Sequence, residues 1–268
     1  MQLRASRILR ELAEGRTPVC LKMNLGDPRI VELCGLAGAS AVWICNEHVP
    51  NDWLNLENQI RAAKLYDLDT IVRVAKGSYS DYIKPFEADA TAIMVPHVTT
   101  ADEARDIVRM TRFQPLGRRP MDGGNVDGRY CQIPVKEYID HSNRERLLIF
   151  QIESPEALAN VEAIAAVPGF NALLFGPGDF SHLLGKPGKI HDPEVVAARQ
   201  RVAAAARANG KFAMAPGMLA SRAELEAEGY QVFNLAADVI GLGEYFNKRV
   251  QEFQQTAATA GSGTPVYR

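Results

Sequence analysis

Short apolar runs rich in β-branched residues recur along the chain. Each ends in polar, Gly or Pro residues, and each is followed by an amphipathic stretch. The runs are VCLKMNL (19–25), SAVWIC (40–45), DTIVRV (69–74), TAIMVP (91–96), LLIFQIE (147–153), NALLFG (171–176), KFAMAP (211–216) and QVFNLA (231–236). Each has the length of a buried strand. The intervening stretches read as helices. Asp27-Pro28 supplies an N-cap and a first-turn proline. Helices are expected at 101–110, 154–167, 193–210, 221–230 and 238–255, with an extra one at 3–15 ahead of the first strand.

Strands alternating with helices imply a parallel sheet covered by helices. Eight such units in roughly 250 residues is the size of a closed (β/α)8 TIM barrel. The fold expected is therefore α/β, a single (β/α)8 barrel over residues 1–255 with the extra N-terminal helix, and a disordered tail over 256–268. An open doubly wound sheet is the alternative, weakened because no Gly-rich dinucleotide fingerprint follows the first strand. The connection 111–146 breaks the rhythm, and an irregular link of that length is usually functional or interfacial.

Composition narrows the function. The net charge of -2 excludes the basic surplus that nucleic-acid backbones require. No run is long enough to span a bilayer, and the N-terminal segment lacks a signal-peptide core, so a cytoplasmic protein is expected. The four cysteines match neither a zinc knuckle nor a disulfide framework.

In a (β/α)8 barrel the chemistry sits at the C-terminal ends of the strands. Those ends carry Lys22 and Asn24, then Cys45, Asn46, Glu47 and His48, then Arg73, then His97, then Gln151 and Glu153, then Gly176-Pro177-Gly178-Asp179. Glu153 and Asp179 lie on adjacent strands, so they could share a hard cation. Two carboxylates, with water and substrate completing the shell, suit Mg²⁺ or Mn²⁺, with Co²⁺ a further option. A 2-oxo acid can chelate such an ion, which then stabilises an enolate. Arg73 could hold the oxyanion or a carboxylate. Taken singly, each residue also suits a rim ion pair or a helix cap. Their convergence on one rim is what favours chemistry. His97, His182 and His191 are read as structural, and His141 as an exposed residue of the long connection.

Five segments then carry a resemblance: Asn24-Leu25-Gly26-Asp27-Pro28, Glu47-His48-Val49-Pro50-Asn51-Asp52, Ile71-Val72-Arg73, Gln151-Ile152-Glu153-Ser154 and Phe175-Gly176-Pro177-Gly178-Asp179-Phe180-Ser181. Weaker matches are 95–105 and APGML (215–219). The chain resembles the HpcH/HpaI aldolase/citrate lyase family, in its metal-dependent (class II) pyruvate aldolase branch, from about residue 18 to 250. The resemblance implies a lyase that reversibly cleaves a 4-hydroxy-2-oxo acid into pyruvate and an aldehyde through a metal-held pyruvate enolate. It implies Glu153 and Asp179 as metal ligands and Arg73 on the keto or enolate oxygen. It places Gln151 beside the metal, Gly178 and Asp179 on the pyruvate carboxylate, Leu219 at the substrate, and His48 as the acid–base group. It also implies a homo-oligomer, a hexamer built as a trimer of dimers, with the last helix packed on a neighbour.

The departures are specific. Cys45 stands where the family has the Asp of an Asp–His dyad, and Asn46 where it has Gly. Lys22 stands where an aromatic residue is usual, and could bind an acidic group on the acceptor. An oxaloacetate decarboxylase or a malyl- or citramalyl-type lyase is the alternative that keeps the pyruvate half and alters the acceptor half. A metal-free Schiff-base aldolase using Lys22 is a more distant alternative.

Overall fold

The computed structural model describes residues 3–258. Eight strands close into a parallel barrel in sequence order, with β8 pairing back onto β1. They are β1 (Val19–Met23), β2 (Ala41–Cys45), β3 (Asp69–Arg73), β4 (Ala92–Val95), β5 (Leu147–Ile152), β6 (Ala172–Phe175), β7 (Phe212–Pro216) and β8 (Val232–Ala237). Every apolar run therefore became a strand, each ending within two residues of where the pattern placed it.

Side chains alternate across a strand, so one parity faces the barrel axis and the other faces the helices. Two separate clusters of buried residues follow from this. Cys20, Ala41, Trp43, Ile71, Ala92, Met94, Leu147, Ile149, Ala172, Leu174, Met214 and Val232 form one, together with Ile8. Val42, Ile44, Val72, Ile93, Leu148, Phe150, Leu173 and Phe175 belong to the other, where the strands meet the helices. The first is the barrel interior. Its parity continues upward to Lys22, Cys45, Arg73, Gln151 and Glu153, which places these polar residues at the C-terminal mouth.

The extra helix, α1 (Arg7–Ala13), plugs the opposite end through Ile8. Asp69 at the start of β3 holds it there. The Asp69 carboxylate accepts from Ser6 Oγ at 2.6 Å, from the Ile8 N–H at 2.9 Å and from Arg4 Nη2 at 2.7 Å. Three caps on that carboxylate satisfy a charge with no exposed surface.

Helices α2 (Pro28–Leu36), α3 (Trp53–Leu65), α4 (Tyr79–Glu87) and α5 (Ala101–Thr111) separate the first strands. Their N-caps Asp27, Asp52 and Thr100 accept from the first turn, as the sequence signals require. The connection 111–146 is less irregular than expected. It contains a 3₁₀ turn at 126–131 and a regular helix, α6 (Val135–Glu145). The helix was hard to read because its buried face is polar: Tyr138, His141 and Ser142 rather than aliphatics. His141, expected to be exposed, is buried, and burial and Arg146 push its imidazole down to about 4.

The single helix expected over 154–167 is two pieces, α7 (Pro155–Ala159) and α8 (Val161–Ala165). Asn160 separates them, its side chain donating to the Thr99 carbonyl at 2.8 Å. Next come α9 (Pro177–Leu183), α10 (Pro193–Ala208) and α11 (Arg222–Glu228). The last helix, α12 (Asp238–Ala258), takes in 256–258 of the expected tail; the rest of that tail lies outside the described residues. Among the described residues no helix is long and apolar enough to cross a membrane.

Candidate active site

The inward parity at the mouth opens on a cleft of about 310 Å³, whose walls include Lys22, Trp43, Arg73, Gln151, Asp179 and Asn234. Those residues come from five of the eight strands and from the first turn of α9.

Glu153 follows β5 and is 1% exposed. Its Oε1 accepts from the His97 N–H at 2.8 Å and lies 3.1 Å from His97 Nδ1. Its Oε2 accepts from Gln151 Nε2. Burial pushes the Glu153 carboxyl up to about 7, and the nearby Asp179 and Glu47 add to the rise although His97 opposes it. Asp179 sits in the first turn of α9 and faces solvent. The close packing around Glu153 depends on Gly176. A Cβ there would lie 2.8 Å from Glu153 Cβ and 2.9 Å from both Gln151 Nε2 and Glu153 Oε2.

A buried carboxylate among other acids calls for compensating positive charge. Gln151 Oε1 is buried without a hydrogen-bond partner, and as a neutral carbonyl oxygen it suits a water or a hard cation. Among the described residues no three His, Cys, Asp or Glu side chains gather into a complete metal cage. Two carboxylates leaving most positions open is the donor set for an ion that keeps water and binds substrate. The residues present therefore fit a divalent cation.

Glu47 is the hub of the other wall. Its carboxylate lies 2.9 Å from Arg73 Nε, 3.4 Å from His48 Nε2 and 3.4 Å from His97 Nε2. Arg73 Nε and Glu47 Oε2 are close but misaligned, and neither completes a hydrogen bond. Arg73 is 4% exposed and stacks 5.0 Å above Trp43. Its Nη2 donates to Cys45 Sγ at 3.1 Å, and that sulfur also receives the His48 N–H at 3.5 Å. Cys45 thus sits beneath the histidine loop but touches its backbone, not its imidazole.

The structure brings Asp179, Arg73, Gln151 and Lys22 to one cleft, with Glu153 hydrogen-bonded to Gln151. His48 is beside it, 60% exposed, its imidazole approached by Glu47. Gly178 is exposed with open space where its Cβ would be. Leu219 is 2% exposed within the core, while its neighbour Met218 lines the cleft.

Two site residues escaped the sequence reading. Glu47 stood in a matched segment next to His48 but drew no role. His97, read as structural, bridges Glu47 and Glu153. Its backbone is in the left-handed region at φ 54, its N–H bound to Glu153 and its carbonyl to Lys76 Nζ at 2.6 Å. Such a conformation in a non-glycine residue costs about 1–3 kcal/mol and persists where surroundings enforce it, often at active sites. No local sequence signal marks it.

The sequence model of the HpcH/HpaI aldolase/citrate lyase family matches residues 20–242, which include every residue of this site. The chain belongs to that family. Relatives by sequence include a 4-hydroxy-2-oxovalerate aldolase of Rhodococcus jostii (strain RHA1), 33% identical over 92% of this chain and 98% of the relative. Another is a hydroxypyruvate/pyruvate aldolase of Pseudomonas aeruginosa, 33% identical over 80% of this chain and 79% of the relative. Among solved structures, an HpcH/HpaI aldolase/citrate lyase family protein of Burkholderia cenocepacia J2315 is 29% identical. It superposes with a TM-score of 0.84, over 93% of this chain and 99% of that one. Family and relatives together place the protein among carbon–carbon lyases.

Proposed function

We propose that the protein reversibly cleaves a 4-hydroxy-2-oxo acid to pyruvate and an aldehyde. The observation that carries this reading is the buried Glu153 carboxylate, bonded to Gln151 at the wall of a cleft that also presents Asp179 and Arg73. Glu153 and Asp179 would hold a divalent cation, Mg²⁺, Mn²⁺ or Co²⁺, with Gln151 beside it. When bound, such an ion supplies Lewis acidity to a keto oxygen.

The chain's own residues supply the rest. Arg73 offers its guanidinium to the oxygen on which negative charge develops. The backbone N–H groups of Gly178 and Asp179 receive the substrate carboxylate. His48 takes the proton of the C4 hydroxyl as the C3–C4 bond breaks. The electron pair passes to C3 of the departing enolate, a proton then adds at C3, and pyruvate and the aldehyde leave. Glu47 ties the two halves together, since it contacts both Arg73 and His48. It takes over the orienting role that a carboxylate at Cys45 would have had.

The test is incubation with pyruvate, an aldehyde and Mg²⁺ or Mn²⁺. We expect aldol product, and exchange of pyruvate methyl protons in D₂O. Absence of both would sink the proposal. His48→Ala should lower aldol cleavage roughly 10²–10³-fold, within the range of general acid–base catalysis, and leave proton exchange largely intact. A second reading, decarboxylation of oxaloacetate, is favoured by the exposure of His48 and needs no acid–base work from it. Decarboxylation retained in His48→Ala with aldol activity absent from wild type would select it.

Another copy of the chain is the proposed partner for α12. Ile240, Tyr245, Phe246, Val250 and Phe253 are each more than half exposed along that helix. Exposed apolar stripes of this size are usually covered by an interface. We expect a homo-oligomer, a hexamer, in light scattering, and dissociation when Phe246 and Val250 are both changed to Glu. A monomeric wild type would remove this part.

A further inference from the structure

Lys22 occupies the inward parity of β1, and its register partner is Trp43 on β2. Its Nζ lies 5.4 Å from the centroid of the Trp43 ring, and Arg73 lies 5.0 Å from the same ring. Two cations thus share one indole at the cleft wall. Arg73 is answered by Glu47, but among the described residues the Lys22 side chain forms no salt bridge and no hydrogen bond. The Trp43 indole N–H is likewise buried without an acceptor, although the residue is 6% exposed and lines the cleft. Lys22 is only partly buried, so its ammonium can reach an anion in the cleft, and among the described residues no ion pair competes for it. Burial, then the Arg73 charge, pull the Lys22 amine below its ordinary value, although Glu47 and Asp238 pull the other way.

Topology says where that anion belongs. β1 stands four strands from β5 in either direction around the closed barrel, so Lys22 and Glu153 face each other across the mouth. A substrate with its 2-oxo acid end at Glu153 and Asp179 directs its other end to β1 and β2. The cleft, about 310 Å³, is at the small end of ligand pockets, which run from roughly 300 to 1,000 Å³.

We propose that Lys22 and Trp43 form an anion subsite for the far end of the substrate, making the enzyme selective for aldehydes that carry an acidic group. This deepens the proposed aldolase reading and rests on it. Lys22 is then a specificity-determining residue, with the Trp43 ring as the wall over which its ammonium sits. The acidic group is a carboxylate or a phosphate, and the choice of acceptor separates the two.

The experiment compares wild type, Lys22→Gln and Lys22→Arg with pyruvate and four aldehydes. Glyoxylate and succinic semialdehyde carry carboxylates, glyceraldehyde 3-phosphate a phosphate, and glycolaldehyde no charge. In Lys22→Gln, KM for the acidic acceptors should rise about 10–100-fold, the scale of a lost charge-assisted hydrogen bond. KM for glycolaldehyde should rise far less than for the acidic acceptors, and Lys22→Arg should recover most of the loss. Calorimetric binding of glutarate against butyrate gives a readout that needs no turnover. Glutarate should bind wild type more tightly, and Lys22→Gln should erase the difference. If the aldolase reading fails, this binding difference still stands or falls by itself. Equal losses for all four aldehydes, no glutarate preference, or a borohydride-trapped pyruvate adduct on Lys22 would each overturn the subsite.

Discussion

Glu153→Gln is expected to lower pyruvate proton exchange and aldol cleavage by roughly 10³-fold or more, the scale of several kcal/mol of lost charge stabilisation. The substitution keeps the shape and the position from which His97 and Gln151 are contacted, so the barrel should persist. Calorimetry with Mn²⁺ should show binding to wild type and none, or far weaker binding, to the variant. Unchanged exchange would remove Glu153 from the chemistry. The same variant carries a stability signature. The folded carboxyl is held up at about 7 against an ordinary 4.5. Between those values the folded protein keeps a proton that the unfolded chain has released, so stability of the metal-free protein falls as pH rises across that window. Below it both states are protonated, and above it the full cost applies, on the order of 3 kcal/mol. Glu153→Gln should flatten that slope in denaturant titrations from pH 4 to 8.

Arg73→Met is the second large effect. Arg73 is buried, and removing one partner of a buried ion pair costs about 3–5 kcal/mol because the other charge is stranded. Here the stranded charge is Glu47, already close to Glu153, so the variant gathers acids with no guanidinium to answer them. We expect a marked fall in melting temperature together with a roughly 10²–10⁴-fold loss of turnover. Arg73→Lys separates the two effects. It keeps the charge but loses the planar fork that reaches Glu47 and Cys45 together, so stability should largely recover while turnover does not. Full activity in Arg73→Lys would show that charge alone suffices there.

Part of this site was legible in the chain. The strand runs set the barrel, and strand parity then places Lys22, Arg73, Gln151 and Glu153 on the axis side at the mouth. That inference needs only a period of two and a closed parallel sheet. The resemblance reached the same residues independently, through matched segments at the strand ends. Cys45 was legible as a departure, but not its consequence, because nothing local says that its sulfur faces Arg73 and the His48 backbone.

Elsewhere the chain misled. Helix α6 was hidden because its inward face is polar, and Asn160 splits a helix whose periodicity runs straight through. Both depend on partners distant in sequence, such as Thr99 for Asn160. His97 is the clearest case. Its position after β4 is a sequence fact, but its role depends on a left-handed backbone held by Glu153 and Lys76, which are 56 and 21 residues away. The sequence by itself determined the barrel and the inward parity of its polar mouth, because periodicity is a local property. Only the tertiary structure decided that Glu47 and His97 join the two walls and that the Lys22 side chain stands without an ion pair among the described residues. Charge compensation is a sum over neighbours that the chain brings together only when it closes.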